Sequence, residues 1–224
     1  MKRKIITTAD GSKTIQIEEW NEQYHSIHGA INEANHVFLK NGLLFYAQDN
    51  QKPEPITILE IGFGTGLNAF LTLVEAEKQS LNIDYVGVEA YPVSMDEIIQ
   101  LNYVDLISKN HASLYSKMHD IDWEVTTNIT SNFKLEKQQK FFREIKEENE
   151  FDIIYFDAFG ARVQPDLWTE DIFEKMYKAL KINGVLVTYS AKGSVRRAMQ
   201  AVGFEVERLP GPPGKREMLR AIKR

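Results

Sequence analysis

The sequence predicts an α/β fold: a seven-stranded, mostly parallel sheet with helices on both faces and an antiparallel last strand. Three observations carry this expectation. Residues 56–67, ITILEIGFGTGL, read as a buried strand with an acidic end, a glycine-rich turn and a helix start. Apolar runs at 84–89 and 151–157 again end in an acid, Glu89 and Asp157, with helical stretches between the runs. The chain closes on a strand pair, 204–209 and 218–222. Strands alternating with helices bury their apolar faces best as a sheet covered on both sides.

Each element has a local reason. Residues 14–18 alternate polar and apolar after the turn signal Asp10-Gly11, so the chain starts as a strand or hairpin. Residues 30–40 suit a helix stopped by Asn41-Gly42. His25 and His28, with Glu22, have helical metal-like spacing, but no third strong ligand is near, so no metal is expected. A polar loop, 48–55, delivers the chain to Ile56, Ile58, Leu59 and Ile61, a β-branched run of the parallel-sheet kind. A helix opens at Leu67 over 67–74, the run 84–89 is the second strand, and Pro92 starts a helix at a favourable early position. Residues 102–121 mix helix and loop, and 123–127 form a third strand. Residues 133–150 read as a charged helix with a thin stripe of Phe133, Phe141, Phe142 and Ile145. The fourth strand, 151–157, is followed by a long loop at 158–166 and an amphipathic helix over 166–180. Asn183-Gly184 turns the chain into strand 185–189, and a basic helix over 192–201 ends at Gly203. One domain is expected, with residues 1–50 as an extension packed on a Rossmann-like core of 51–224.

Composition is that of an ordinary globular protein, 43% hydrophobic and 26% charged over 224 residues. The chain has no cysteine, hence no disulfide, thiolate metal site or cysteine nucleophile, which is compatible with a reducing cytosol. No apolar run approaches the roughly 20 residues that span a bilayer, and no signal peptide is visible, so a cytoplasmic protein without membrane contact is expected. The net charge is −5, yet residues 181–224 carry ten Lys/Arg against three acids, so this third is +7 and the remainder −12. A basic third on an acidic chain points to an anionic partner on one face, or simply to a solvated surface.

The glycine spacing narrows the ligand. A dinucleotide loop places its third glycine where Leu67 stands, and a P-loop needs a lysine that does not follow Gly66. What remains, Glu60-x-Gly62-x-Gly64-x-Gly66, is the nucleotide-loop pattern of class I methyltransferases that use S-adenosylmethionine. That cofactor has no phosphate but carries an ammonium, and Glu60 ends the strand beside the loop. Ligands of doubly wound sheets sit beyond the strands' carboxyl ends, which places Glu89 to accept from ribose hydroxyls. Many class I enzymes hold the adenine amino group with an acid after the third strand. Residues 127–129 lack one, and Asn128 is the candidate in its place. Two competing classes remain: a methyltransferase for a small-molecule or protein amine, and a non-catalytic nucleotide-binding or dehydrogenase-like module.

Several stretches together resemble the tRNA 5-(methylaminomethyl)uridine methyltransferases, the methyltransferase half of the bifunctional MnmC enzymes and its stand-alone MnmD counterpart. They are YHSxxGAxxExxHVFL at 24–39, LEIGFGTGLN at 59–68, and FDAF at 156–159 running through Pro165 to Leu167-Trp168. TYSAKGSVRRAMQAVGF at 188–204 and GPPGKREML at 211–219 complete the set. The resemblance implies methyl transfer from S-adenosylmethionine to the aminomethyl nitrogen at C5 of a wobble uridine. It implies a tRNA anticodon stem-loop as partner, and another enzyme that supplies the amine. Because the chain stops directly after its last strand, it resembles the stand-alone type, and neither flavin nor metal is expected. The implied cofactor residues are Glu60, Gly62, Phe63, Gly64, Gly66, Leu67, Asn68, Glu89, Asn128 and Asp157. Asp157 is also the expected catalytic group, orienting the amine and taking its proton. The acceptor side draws on Tyr24, Ser26, Glu33, Phe159 and Trp168, and on the cations Lys192, Arg196, Arg197, Lys215 and Arg216.

Overall fold

The computed structural model describes residues 2–48 and 55–224. Most of the expected loop at 48–55 therefore lies outside the described residues. The chain begins with an antiparallel ribbon, β1 (Arg3–Thr7), β2 (Lys13–Ile17) and β3 (Glu22–Gln23). One continuous helical segment follows: α1 (Ala30–Ala34), wide π-type turns over Asn35–Leu43, and α2 (Leu44–Ala47). Then come β4 (Ile56–Ile61), α3 (Leu67–Gln79), β5 (Ile83–Val88), α4 (Met95–Ile98), α5 (Tyr103–Ile107) and α6 (Ala112–Asp120). The remainder is β6 (Thr127–Asn128), β7 (Phe133–Gln138), β8 (Phe151–Phe156), α7 (Glu170–Ala179), β9 (Leu180–Thr188), α8 (Gly193–Ala201), β10 (Glu205–Pro210) and β11 (Glu217–Ile222).

The main sheet has the order β10-β11-β9-β8-β4-β5-β7-β6. β9, β8, β4, β5 and β7 are parallel, while β11 runs antiparallel to β9 and β10. The expected class is therefore present, with the two-residue β6 as an eighth strand at the edge. β4 shows why such strands read as apolar runs. Ile56 and Ile58 join the core on one face of the sheet, and Leu59 and Ile61 join the core on the other. Every residue of β8 is buried.

Four expectations fail locally. Residues 133–150 are not a helix. Phe133, Leu135 and Lys137 point inward and Lys134 is exposed, which is a strand's period of two. Lys137 hides the pattern: its stem is buried while its Nζ donates to the His119 carbonyl at 2.6 Å. Residues 123–127 are correspondingly not the third strand; Trp123 makes a single bridge to Lys137, and pairing resumes only at β6. Pro92 does not open a helix, which starts at Met95, with Glu97 accepting from the Ser94 amide at 3.1 Å. Asn41-Gly42 does not stop the N-terminal helix. Gly42 is instead a close-packing point, where a Cβ would stand 3.0 Å from Val187 and 3.1 Å from Tyr155.

The helical segment is tied to the sheet by a buried carboxylate. Asp152 accepts from the Tyr46 hydroxyl at 2.7 Å, the Thr57 amide at 2.9 Å and Lys181 Nζ at 2.9 Å. The donors around it hold its carboxyl below the ordinary range, although burial alone pushes the other way.

Candidate active site

A cavity of about 730 Å³ lies beyond the carboxyl ends of β4, β5 and β8, roofed by residues 20–28, 158–167 and 214–215. This is where ligands enter doubly wound sheets. One wall is the turn after β4. Gly62 has φ +93°, and a Cβ there would meet the Asp157 carbonyl at 2.8 Å, so only glycine lets the ends of β4 and β8 come together. Gly64, at φ +50°, lies under the Tyr24 ring, 3.2 Å from a Cβ position. Its amide donates to Glu89 at 3.0 Å, and the other Glu89 oxygen accepts from the Tyr91 amide at 2.9 Å. Burial pushes the Glu89 carboxyl up, while those amides oppose the shift.

Of the expected cofactor residues, Gly62, Phe63, Gly64, Leu67, Asn68, Glu89 and Asp157 line this cavity. Three do not. Glu60 is fully buried beneath the wall, Oε1 accepting from Asn68 at 2.8 Å and Oε2 from the Tyr85 hydroxyl at 2.8 Å. Burial pushes its carboxyl well above the ordinary range, opposed by the Tyr85 and Asn68 hydrogen bonds, and its contact with the cavity wall is through Asn68. Gly66 sits behind the wall at the start of α3, against His119. Asn128 is exposed on the edge strand, its carbonyl capped by Lys117 at 2.6 Å, because the strand beside β5 is β7 and not the segment before it.

Asp157 is the junction of the site. The two N–H groups of the Asn68 amide go to two carboxylates, Glu60 at 2.8 Å and Asp157 Oδ2 at 2.9 Å. Asn68 Oδ1 is buried without a partner. Burial pushes the Asp157 carboxyl up to about 7, reinforced by the Glu33 charge and opposed by the Asn68 hydrogen bond and the Lys215 ammonium. Asp157 keeps an accessible edge on the cavity.

The acceptor side is partly as expected. Tyr24, Ser26, Glu33, Phe159, Lys192 and Lys215 line the cavity. Phe159 is half-buried, edge-on to Tyr24 at 4.9 Å and to Trp20 at 5.8 Å. Trp168 is core: it is buried, packs on Phe156 and Phe173, and donates to the Phe159 carbonyl at 2.8 Å. It is unavailable to a base and instead supports the loop that carries Phe159. Arg196, Arg197 and Arg216 do not reach the cavity.

Half of the ten cations of the basic third are ion-paired, but only two of them, Lys181 and Lys215, meet acids from outside it, so its excess falls from +7 to +5. Lys181 pairs with Asp152, Arg208 with Glu217, Arg220 with Glu207, Arg224 with Glu205, and Lys215 with Glu33. Lys223 donates to Asn149 and the Leu180 carbonyl. Among the described residues, Lys192, Arg197 and Arg216 are exposed cations without an ion-pair partner. Lys215, expected to face RNA phosphate, instead turns into the site, its ammonium 4.3 Å from the centre of the Tyr189 ring.

Some lining residues escaped the sequence reading. Phe141, Phe142 and Arg143 follow the carboxyl end of β7, the position from which a doubly wound sheet lines its ligand site, where the charged run of 133–150 suggests a helix instead. The alternation of Phe133, Leu135 and Lys137 was the available signal. Tyr189, at the end of β9, donates to the Ala158 carbonyl at 2.8 Å. His25 is held by the chain itself: its Nδ1 lies 2.8 Å from Thr14 Oγ1, and burial pushes its imidazole down to about 4. Among the described residues, no group of three His, Asp or Glu is arranged to hold a metal.

These walls fit S-adenosylmethionine. Gly62 and Gly64 let the turn after β4 pack against Asp157 and Tyr24 as a wall of the cavity, and Glu89 presents its carboxylate at the end of β5. Phe141 and Phe142 supply apolar surface beyond Glu89, and the unpaired Asn68 Oδ1 stands with Asp157 at the opposite end. Comparisons with known proteins agree. The chain is 27% identical to the tRNA 5-methylaminomethyl-2-thiouridine biosynthesis bifunctional protein MnmC of Actinobacillus pleuropneumoniae, over 90% of this chain and 32% of that protein. It is 29% identical to the Burkholderia multivorans protein of the same name, over 92% of this chain and 33% of that protein. The chain thus spans about a third of the length of the curated relatives it matches. Among solved structures, MnmC2 from Aquifex aeolicus superposes with a TM-score of 0.82 at 24% identity, covering 100% of this chain and 70% of that one. Spermidine synthase from Thermotoga maritima superposes with a TM-score of 0.60 at 17% identity, covering 98% and 68%, and both likenesses concern the fold. A family model described as S-adenosyl-L-methionine-dependent methyltransferase matches residues 103–224. With its glycine turn, its Glu89 and Asp157 and that match, the chain belongs to this S-adenosyl-L-methionine-dependent methyltransferase family.

Proposed function

We propose that this chain methylates the aminomethyl nitrogen at C5 of a wobble uridine, with or without 2-thiolation, in a tRNA anticodon stem-loop. The product is 5-methylaminomethyl-uridine. The observation that carries the reading is Asp157: one carboxylate faces both the glycine-lined wall and the Glu33, Lys215 and Tyr189 side of the cavity. The names of the curated relatives support the choice of amine.

When bound, S-adenosylmethionine supplies a methyl group activated by its positive sulfur, so that the amine's lone pair forms the N–C bond as the C–S pair stays with sulfur. The chain's task is alignment and proton removal. An alkylamine near pKa ~10 is protonated at neutral pH and has no lone pair to offer. Ionised Asp157 takes that proton. Its elevated carboxyl, at about 7, lies closer to the amine than an ordinary carboxylate does, so the transfer is less uphill. Asn68 fixes the Asp157 rotamer, Glu60 fixes Asn68, and the Tyr85 hydroxyl holds Glu60. Phe159 offers an aromatic edge to an unstacked base, and Lys192, Arg197 and Arg216 are exposed cations of the last third available to phosphate. A prior reaction must generate the aminomethyl group.

A small-molecule amine is the second reading, favoured by the internal ion-pairing of half the basic residues of the last third, Lys215 among them. Labelled S-adenosylmethionine incubated with hypomodified tRNA, followed by nucleoside analysis, separates the two. Label in 5-methylaminomethyl-uridine supports the proposal. Transfer to a free amine but not to tRNA supports the second reading.

A further inference from the structure

The loop at 211–216 is docked across the acceptor side. His36 Nε2 lies 2.8 Å from the Pro210 carbonyl, Lys215 N donates to the Pro212 carbonyl at 2.9 Å, and Gly214 packs directly on the His28 ring. From this loop the Lys215 side chain reaches inward. Its ammonium pairs with Glu33, lies over the Tyr189 ring at 4.3 Å, and is close enough to Asp157 to lower its carboxyl pKa. Glu33 itself is almost inaccessible, with a side chain 9% exposed, so its charge requires a counter-ion there.

A carboxylate, an aromatic face and a second carboxylate nearby are the groups that recognise a primary alkylammonium. The acceptor's amine must reach Asp157 through that same space. We infer that the Lys215 ammonium is a built-in occupant of the acceptor-amine site, and that a substrate alkylammonium binds by exchanging with it on Glu33 and Tyr189. The exchange leaves the charge of the buried site unchanged. The displaced lysine, on a loop beside exposed Arg216, is released toward solvent and phosphate. An empty site would expose an unpaired Glu33, and a neutral acceptor would have nothing with which to displace the lysine. The site is thus selective for acceptors that arrive as cations. The inference rests on the proposed function for the acceptor's being an amine that reaches Asp157; the exchange on Glu33 and Tyr189 is read independently of what carries that amine.

The test is calorimetric binding of 5-aminomethyluridine and neutral 5-hydroxymethyluridine to protein saturated with S-adenosylhomocysteine. Neither nucleoside has a phosphate, so the readout is confined to the amine site. Lys215→Met is expected to bind the amine about tenfold more tightly than the native protein, because the occupied fraction no longer taxes affinity. Glu33→Gln should bind it at least about tenfold more weakly, as the loss of a buried charge partner requires. The hydroxymethyl compound should not distinguish Lys215→Met from the native protein. Unchanged or weaker amine binding by Lys215→Met overturns the inference. As a check independent of any variant, the Lys215 Nζ signal in nitrogen NMR should move to that of a solvated lysine as the amine is added; a stationary signal with amine bound also overturns it. Native methyl transfer to tRNA without these exchange signatures removes only this inference. Exchange signatures without transfer to tRNA remove only the tRNA reading.

Discussion

Asp157→Asn should abolish methyl transfer and make the protein more stable above neutral pH. The native carboxyl is raised from an ordinary 3.8 to about 7, chiefly by burial. At about 1.4 kcal/mol per pH unit this corresponds to about 4 kcal/mol for holding the charge in place at pH 8. Water at its accessible edge reduces the figure, so about 2–4 kcal/mol is expected. An acid raised on folding contributes stability that is fully present below its unfolded value and is lost as pH rises through its folded value. The native protein therefore loses this contribution between about pH 4 and about pH 7, and the asparagine variant does not. The Asn68 hydrogen bond survives, because the new amide oxygen still accepts it. Urea unfolding at pH 8 and pH 5 measures the effect. The variant should be more stable at pH 8, and the gap should shrink by more than half at pH 5. The difference between the two proteins cancels the other titrating groups. A variant no more stable than native at pH 8, or a gap independent of pH, would refute the argument that the site strains this carboxylate.

Three further outcomes follow from the same geometry. Gly64→Ala puts a Cβ at φ +50° and 3.2 Å from the Tyr24 ring, so it should cost more than about 1 kcal/mol and weaken S-adenosylhomocysteine binding by calorimetry. Asp152→Ala removes an acceptor shared by the Tyr46 hydroxyl, the Thr57 amide and Lys181, and should lower unfolding stability by about 3 kcal/mol. The Asp152 carboxyl is held below its ordinary value, so its contribution is present above that value and is lost as pH falls through the folded one. Arg197→Ala with Arg216→Ala should reduce the salt slope of tRNA binding by about 0.7–0.9 per residue, if each meets a phosphate. An unchanged slope would move the RNA face elsewhere.

The parallel core was legible because β4, β5 and β8 are short apolar runs with acids at or near their ends, and the glycine turn punctuates the first. The terminal hairpin was legible through its proline and glycine loop. β7 was not, because its inward file contains Lys137, whose buried stem and carbonyl-bound ammonium look like a surface charge in sequence. That one displacement shifted the expected adenine contact to Asn128 and hid Phe141 and Phe142. Glu60 and Trp168 were placed in the right neighbourhood but on the wrong side of the wall, since sequence shows which strand end a side chain leaves and not how deep it is packed. The basic third looked like a single face; its pairing partners, Glu33, Asp152, Glu205, Glu207 and Glu217, come from elsewhere in the fold or across the hairpin.

The central claim is that Asp157 serves a methyl transfer to a tRNA-borne amine, and a single-turnover assay tests it most directly. Native protein and Asp157→Asn, each loaded with labelled S-adenosylmethionine, would be mixed with tRNA carrying 5-aminomethyluridine and followed by nucleoside analysis across pH 5–9. Native protein should form labelled 5-methylaminomethyl-uridine at a rate falling about tenfold per pH unit below about pH 7, and the variant should bind the cofactor yet transfer almost nothing. Equal transfer by the two proteins, or no label in that nucleoside at any pH, would contradict the account.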